Sequence, residues 1–227
     1  DELSDPQQNM FLGLNELAFK HTRLEKKIAG NKDTVNNLNT NILKNFINTY
    51  YKKGIIISIS GNISNEKSLS LIKKYFKKNC HYSCQKIPKI MNDRKRIIYN
   101  DYLFRQTKFQ VKYIHKNVKQ SFIGIMFPSY KSRDKKIYVV SYICGILSGY
   151  IGSRLLKTLR DDYGLTYHVS TDYSYFKDYG SLTISLSTQN NSEKILQCIQ
   201  LIFYHLKDIQ FNVSNEEFNV VRHNMIE

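Results

Sequence analysis

The sequence predicts an α+β fold in which antiparallel β-sheet is covered on one side by helices. Apolar residues recur either in alternation or at intervals of three and four, and the strand-like segments come in adjacent pairs followed by pairs of helices. Between residues 79 and 106 this periodicity fades, which is typical of a connection between domains. With 41% hydrophobic and 23% charged residues in 227, the composition is that of a globular protein.

Three helices and one strand are predicted before this connection. The first helix covers residues 7–20, and the second is a strongly amphipathic helix over residues 34–50. The β-branched run of residues 55–60 is bounded by glycines and predicts a strand. Ser64 is placed to cap the third helix, whose last turns carry lysines that favour a helix C-terminus.

Four strands and four helices are predicted after the connection. Residues 109–114 and 121–127 alternate as strands. Two helices follow, one with an apolar stripe of Val139, Tyr142, Ile143, Ile146 and Leu147 and one with Leu155, Leu156 and Leu159. Two further strands cover residues 167–175 and 182–186 and are joined by a turn at Asp178-Tyr179-Gly180. The last two helices begin near Ile195 and near Phe218. The last helical pattern has no cap at Glu227, so we expect a fragment at both ends.

The charge of the chain is strongly positive. Its 34 basic and 19 acidic residues give a formal net charge of +15, which raises nucleic acid, acidic membranes and acidic peptides as partners. The lysines are scattered in pairs, however, and the dense run at 93–96 is followed at once by apolar residues, so we expect no nucleic-acid binding. No stretch approaches the roughly 20 uncharged apolar residues that cross a bilayer, and no targeting signal is visible.

The 4 cysteines are too few for a disulfide scaffold in a chain of this length. Cys144 and Cys198 lie among apolar residues, as buried free thiols do. Cys80, His81 and Cys84 offer zinc ligands, but no second ligand pair follows at matching spacing, so we expect no metal there. The cysteine pattern predicts an intracellular protein, in the cytoplasm or in an organelle such as a mitochondrion or plastid.

Three segments carry motifs that point to a family. Residues 149–167 contain small residues, then Ser-Arg-Leu, then Leu-Arg, then Gly-Leu and an aromatic residue. Residues 50–63 contain Tyr-Tyr, a strand-like run and Gly-Asn, and residues 213–218 read Val-Ser-Asn-Glu-Glu-Phe. Together these segments resemble the pitrilysin/insulinase family of zinc metallopeptidases, which includes mitochondrial processing peptidases. The resemblance covers most of residues 10–227.

The resemblance implies two related domains, each an antiparallel sheet with helices on one face, forming halves of a chamber that encloses unfolded peptide. Residues 1–80 are then the C-terminal part of the first peptidase-like domain, 81–106 the linker, and 107–227 the second domain, truncated at its C-terminus. The family cuts peptide bonds with a zinc ion held by an inverted His-x-x-Glu-His motif and a downstream glutamate. None of the 6 histidines here belongs to such a motif, so we expect Zn²⁺ in the complete protein and none in this fragment alone.

Two explanations of the missing motif remain open. In the first, the motif lies upstream, and Glu2 stands where the family's downstream zinc-binding glutamate stands. The complete protein is then an endopeptidase for extended peptides such as presequences, bound as an added edge strand. In the second, the chain belongs to a non-catalytic chamber or scaffold subunit. The expected partners are accordingly an extended peptide and either a homologous subunit or the missing upstream domain, and the abrupt start of the chain favours the first explanation.

Arg160 and Tyr167 match the Arg and Tyr that reach across the chamber toward substrate in insulinase-like members of the family. A guanidinium and a phenol both donate hydrogen bonds without acting as bases. They can therefore hold substrate carbonyls and the oxyanion that forms as water attacks. The alternative is a surface Arg160 paired with Asp161 or Asp162, and a sheet Tyr167 packed beside Val169.

Gly149, Gly152 and Ser153 form the small-residue part of the same signature. By their position in the motif they are candidates for a substrate-contacting loop. A plain turn between two helices is the alternative, since Gly and Ser are common in such turns.

Overall fold

The computed structural model describes residues 5–51, 56–76, 108–177 and 179–226. The chain divides into two compact units, one of residues 1–27 with 99–227 and one of residues 28–98. The predicted α+β class is confirmed, because helices accompany a 3-stranded antiparallel sheet. In the described ranges, no helix combines the length and apolar character that a membrane crossing requires.

The sheet lies in the first unit and has the strand order β1-β3-β2. Its strands are β1 (Gln120–Ser129), β2 (Val169–Tyr175) and β3 (Gly180–Gln189). Gln120 pairs with Gln189 at one end of the sheet, while Gly180 pairs with both Ser129 and Tyr175 at the other, which we call the hairpin end. Within the described residues, β1 and β2 are each paired on one side only.

Seven α-helices, two π-helical segments and one short 3-10 helix, Arg23–Glu25, lie in the described ranges. The α-helices and π-helical segments are α1 (Pro6–Ala18), α2 (Lys32–Asn36), α3 (Thr40–Phe46) with π-helical Ile47–Tyr51 after it, α4 (Asn65–Tyr75), α5 (Ile137–Ser148), π-helical Leu156–Asp162, α6 (Ser192–Asp208) and α7 (Asn215–Ile226). The helices predicted near residues 7, 64, 139, 155, 195 and 218 are therefore confirmed, with boundaries that shift by a few residues.

The apolar core lies between one face of the sheet and the helices of the first unit. Alternate residues of β3 point into it, and Leu182, Ile184 and Leu186 are all buried. The helical side of the core is formed by Val140, Cys144, Leu147, Leu155, Leu159, Cys198 and Ile202. Cys144 and Cys198 are buried free thiols, as predicted, and burial raises the pKa of Cys144 to about 12. Neither thiol is therefore a nucleophile at neutral pH.

The opposite face of the sheet is covered at β1 by α1. Gly124 permits this close approach, because a Cβ atom there would lie 2.1 Å from Sδ of Met10 and 2.6 Å from Cδ1 of Leu14. Helix α1, which the sequence analysis placed before the linker, thus packs with the sheet of the first unit. The linker predicted at 81–106 lies outside the described residues, so the division into 1–80, 81–106 and 107–227 stays a prediction.

Three sequence expectations are corrected by the structure. The single helix predicted over 34–50 is broken, because the side chain of Asn39 accepts hydrogen bonds from the backbone of Asn41 and Ile42 and starts α3 anew. Residues 56–60 and 109–114 form no strand, since a strand needs a ladder partner and no described residue pairs with them. Residue 55 and Asp178 of the predicted turn lie outside the described residues.

The second unit is represented by α2, α3 and α4, none of which contains a buried residue. Its helix starts are nevertheless well defined by side-chain caps. Asn31 and Thr34 form a reciprocal capping box on α2, and Oγ of Ser64 accepts from the backbone of Lys67 on α4, as predicted.

Candidate functional site

Arg160 lies at the end of the π-helical segment Leu156–Asp162 and points away from the core. Its neighbour Leu159 is fully buried, which anchors this side of the segment. Two residues before Arg160, Oγ1 of Thr158 is 2.9 Å from Nε2 of His205 on α6. Burial lowers the pKa of His205, so the bond is made by the neutral imidazole, and the tautomer decides whether Nε2 donates or accepts. The guanidinium of Arg160 therefore projects from a segment fixed on its inner face.

A glycine turn reverses the chain after Arg160. Gly164 adopts a left-handed φ of 59°, which a residue without Cβ tolerates at little cost. Its N–H donates to the carbonyl of Arg160 at 3.1 Å, and the N–H of Leu165 donates to the carbonyl of Leu159 at 2.7 Å. This is a left-handed helix cap, and it directs the chain back along the sheet toward Tyr167.

Tyr167 is held at the apex of the loop that enters β2. The loop is tied to the sheet by Oγ1 of Thr188, which donates to the carbonyl of Leu165 at 2.7 Å. The hydroxyl of Thr166 both donates to the carbonyl of His168 and accepts from its N–H, which makes the loop tight. Leu165 and Thr166 are buried, whereas Tyr167 is 89% exposed. The phenol is therefore presented to solvent by an ordered backbone.

Arg160 and Tyr167 line one surface cavity of about 180 Å³. The cavity lies at the end of the sheet where Gln120 pairs with Gln189, and both glutamines contribute to its wall. Its other lining residues are Gly164, Leu165, Thr166, Ser187 and Thr188. The structure thus brings together the two residues that the sequence singled out, and it adds amide and hydroxyl groups that both donate and accept hydrogen bonds.

The guanidinium of Arg160 is paired with its neighbour Asp161. Nε donates to Oδ1 at 2.8 Å and Nη2 approaches Oδ2 at 3.5 Å. This hydrogen bond raises the pKa of Arg160 and lowers the pKa of Asp161. Among the described residues, Nη1 of Arg160 has no hydrogen-bond partner, so part of the fork remains available to a ligand.

The other predicted site residues lie elsewhere. Gly149, Gly152 and Ser153 do not line the cavity, and they form a tight turn in which the N–H of Ser153 donates to the carbonyl of Tyr150 at 3.0 Å. Both glycines are exposed, but Ser153 is fully buried. Glu2 lies outside the described residues. A role for any of these in substrate or metal binding stays a prediction.

Arg154 is a structural residue that the sequence analysis did not single out. Its side chain donates to Glu217 through Nε at 2.6 Å and Nη2 at 2.9 Å, and to Asp208 through Nη1 at 2.8 Å. Nη2 also bonds the carbonyl of Asn212. Asp208 is the last residue of α6, and Glu217 lies in the first turn of α7. Arg154 therefore joins both helices to the loop of residues 149–153, which we call the signature loop. Arg154 belongs to the Ser-Arg-Leu motif and Glu217 to the Ser-Asn-Glu-Glu motif, but the sequence alone gave no sign that the two side chains meet.

Glu217 also caps the helix that it begins. Its N–H donates to Oγ of Ser214 at 3.1 Å, while its carboxylate accepts from the N–H of Ser214 at 3.0 Å. The hydrogen bond from Arg154, with those from Ser214, lowers the pKa of Glu217 from 4.5 to about 2. The side chains of Arg154 and Glu217 are 11% and 21% exposed, so this pair is well shielded from solvent.

No metal site is present in the described parts of the chain. No group of three His, Cys, Asp or Glu side chains there is arranged to hold an ion. The residues present therefore do not fit the zinc ion that the resemblance implies for the complete protein. Cys80, His81 and Cys84 lie outside the described residues.

The chain is similar to known proteins in both sequence and structure. Residues 37–225 match the family described as "Peptidase M16 inactive domain". The chain is 26% identical to the "Uncharacterized zinc protease YmxG" of Bacillus subtilis (strain 168) over 196 aligned residues. These aligned residues are 86% of this chain and 44% of that protein. The chain is also 23% identical over 180 residues to an "Uncharacterized zinc protease" of Rickettsia felis, which covers 78% of this chain and 40% of that protein. The chain thus spans less than half the length of these relatives.

Solved structures give the same fold. A protease from Helicobacter pylori superimposes with a TM-score of 0.74 at 16% identity, over 99% of this chain and 52% of the other. The peptidase M16 inactive domain from Pseudomonas fluorescens gives 0.68 at 15% identity, again over 99% and 52%. A chain of Complex III2 from Candida albicans gives 0.68 at 12% identity, over 99% and 52%.

Proposed function

The chain belongs to the peptidase M16 inactive domain family, and we propose that it supplies substrate and transition-state contacts in a zinc-dependent endopeptidase for extended peptides. The observation that supports this proposal is the cavity shared by Arg160 and Tyr167. These residues are seven positions apart in the sequence, and the glycine turn between them brings both side chains to one place.

The proposed task of Arg160 and Tyr167 is to donate hydrogen bonds. Neither a guanidinium nor a phenol accepts a proton at neutral pH, so neither is proposed as a general base. Both suit the carbonyl oxygens of a bound peptide and the negative charge that develops on one of them during hydrolysis. Asp161 holds the guanidinium through Nε, which leaves Nη1 as the nitrogen that we propose to donate to the peptide.

An edge of the sheet is available beside the cavity. Gln120, which lines the cavity, is also the first residue of β1, and the outer side of β1 has no ladder partner among the described residues. An extended peptide that pairs with a sheet edge gains main-chain hydrogen bonds without regard to its sequence. We propose this mode of binding for the substrate.

The metal chemistry is assigned to a different part of the complete protein. No described residues form a ligand set, and we propose that the zinc motif belongs either to an upstream part of the same protein or to a homologous partner. Glu2 is proposed as a contributor to that site. The loop of Gly149, Gly152 and Ser153 is proposed to contact a long substrate through its exposed glycines, with Ser153 buried beneath them. When bound, zinc would supply the activated water, and the residues of this chain would bind and orient the peptide.

The test is cleavage of an unfolded, internally quenched peptide by the full-length protein, with and without a metal chelator. Arg160→Ala and Tyr167→Phe should each lower kcat/KM about a hundredfold, because removing one oxyanion donor typically costs about 3 kcal/mol. Asp162→Asn is the matched control, since Asp162 is exposed and lies between the two residues without lining the cavity. Unchanged kcat/KM in both site variants would contradict the proposed roles.

A second candidate is a non-catalytic chamber half or scaffold subunit of the same family. It is favoured by the structural match to a chain of Complex III2 from Candida albicans, at a TM-score of 0.68. In that case the full-length protein contains no zinc and cuts no peptide, while it copurifies with a homologous chain. Zinc content measured together with peptide cleavage therefore separates the two candidates.

A further inference from the structure

The hairpin end of the sheet carries a surface that is both basic and aromatic. It is formed by the described residues of two segments, namely 130–136, which follows β1, and 175–179, which leads from β2 to β3; Asp178 lies outside the described residues. The N–H of Ser132 donates to the carbonyl of Phe176 at 2.9 Å, so the two segments are in direct contact. We call them the hairpin-end surface. They lie at the other end of the sheet from the cavity of Arg160 and Tyr167.

Basic residues are concentrated on the hairpin-end surface. Of its 12 positions 5 are Lys or Arg, against 34 of 227 in the whole chain. These five residues, namely Lys131, Arg133, Lys135, Lys136 and Lys177, are all exposed. Within the described part of the chain, none of them takes part in an ion pair. Their charge is therefore directed to solvent, with Asp134 and Asp178 as the acidic residues of the two segments.

Aromatic side chains lie among these charges. Phe176 at the tip of the β2–β3 connection is 52% exposed, and Tyr175 and Tyr130 are 46% and 41% exposed. The backbone at the tip is internally satisfied, because the N–H of Phe176 donates to the carbonyl of Tyr179 at 2.7 Å and its carbonyl accepts from Ser132. Burying a backbone polar group without a hydrogen-bond partner is a main cost of entering a lipid interface. Phe176 avoids this cost, because both its N–H and its carbonyl are already hydrogen-bonded within the protein.

We propose that the hairpin-end surface binds the surface of an anionic lipid bilayer. Lys and Arg side chains near such a surface are attracted to its negative potential, and Phe and Tyr rings are stabilised at the headgroup level. Lys predominates over Arg here, which suits diffuse attraction to many headgroups rather than forked recognition of one phosphate. The membrane association is peripheral and separate from peptide binding at the cavity.

The ring contacts favour lipid over single-stranded nucleic acid. Bases bind on the open faces of aromatic rings. Phe176 is stacked on Tyr179 with ring centroids 4.6 Å apart, and Tyr175 on Tyr173 at 5.5 Å. Nζ of Lys136 lies over the ring of Tyr130 at 5.1 Å. One face of each ring is therefore already occupied, which leaves at most one face for a base, whereas insertion into a lipid interface does not require an open ring face.

The test is flotation of the full-length protein with two kinds of vesicle, phosphatidylcholine alone and equal parts phosphatidylcholine and phosphatidylglycerol. We expect binding to the anionic vesicles only, and release at high salt. Lys131→Gln with Arg133→Gln should weaken binding about 30-fold, since each basic residue contributes roughly fivefold. Phe176→Ser should weaken it roughly tenfold.

The matched control is Lys119→Gln with Arg222→Gln, which removes the same charge from exposed positions beside β1 and on α7. This control should bind anionic vesicles nearly as well as the wild type. Equal losses in the control and the Lys131/Arg133 variant would overturn the proposal, because binding would then follow net charge alone. It would also be overturned by failure to bind anionic vesicles, or by binding of a single-stranded oligonucleotide or an acidic peptide that displaces the protein from them.

Discussion

Glu217→Gln should destabilise the first unit at neutral pH and reduce its sensitivity to acid. The substitution keeps the size of the side chain but removes the charge that Arg154 holds at 2.6 and 2.9 Å. It also weakens the reciprocal cap with Ser214 at the start of α7. The loss should therefore be concentrated where α6, α7 and the signature loop meet.

The magnitude follows from the pKa of Glu217, which is lowered from 4.5 to about 2. A shift of this size corresponds to about 3 kcal/mol of stability, because one pKa unit is about 1.4 kcal/mol. Since the folded-state pKa is the lower one, this stability is fully present above about pH 4.5 and is lost as pH falls toward about 2. The wild type and the variant should therefore differ most at neutral pH and converge in acid.

Amide hydrogen exchange followed by mass spectrometry is the suitable assay, because the chain has no Trp and forms two units. Peptides covering residues 150–163 and 212–222 should lose about two decades of protection at neutral pH in Glu217→Gln. Glu216→Gln is the matched control, since Glu216 is the exposed neighbour in the same helix turn. Equal protection of Glu217→Gln and the wild type at neutral pH would refute the reasoning.

Three further predictions follow from the structure. Gly145→Ala should lower the free energy of unfolding in urea by about 1–3 kcal/mol, because the added Cβ would lie 2.6 Å from Cγ1 of Val221. Adding Val221→Ala to the same chain should restore most of this loss, whereas additive losses would contradict the packing. Gly164→Ala should lower the free energy of unfolding by only about 1 kcal/mol, because φ is 59° but an added Cβ would have no atom within 4 Å beyond its chain neighbours. A loss several times larger would contradict these open surroundings. Elemental analysis of this chain alone should find no stoichiometric zinc. The expectation would be contradicted if the chain held one zinc ion and lost it when Cys80 and Cys84 were changed to Ser.

The helices and the central strands could be predicted because their apolar residues have a clear period. The alternation in 121–127 and 182–186 matches β1 and β3, and the stripes after Val139 and Ile195 match α5 and α6. The interruption between α2 and α3 could not be predicted from apolar spacing, because it depends on the side chain of Asn39. The alternation in 109–114 wrongly predicted a strand, because Ile114 lies close to Gly13 of α1 and no described residue pairs with this segment as a strand.

The site was predicted only as a pair of residues. The sequence singled out Arg160 and Tyr167, but the common cavity depends on the turn at Gly164 and on the bond from Thr188 to Leu165 across 23 residues. The contacts of Arg154 reach 54 to 63 residues ahead, so local spacing gave no sign of them. Burial of Ser153 was equally inaccessible to a reading of the motif.

The most direct measurement of the central claim is a double-mutant cycle on Arg160 and Tyr167 in the full-length protein. Both side chains line one cavity, so we expect both to hold the same segment of the peptide. The kcat/KM of the Arg160→Ala, Tyr167→Phe double variant should then fall by less than the product of the two single losses, with a coupling energy of about 1 kcal/mol or more. Losses that multiply fully, or single variants with near-normal kcat/KM, would contradict the shared role of the two residues.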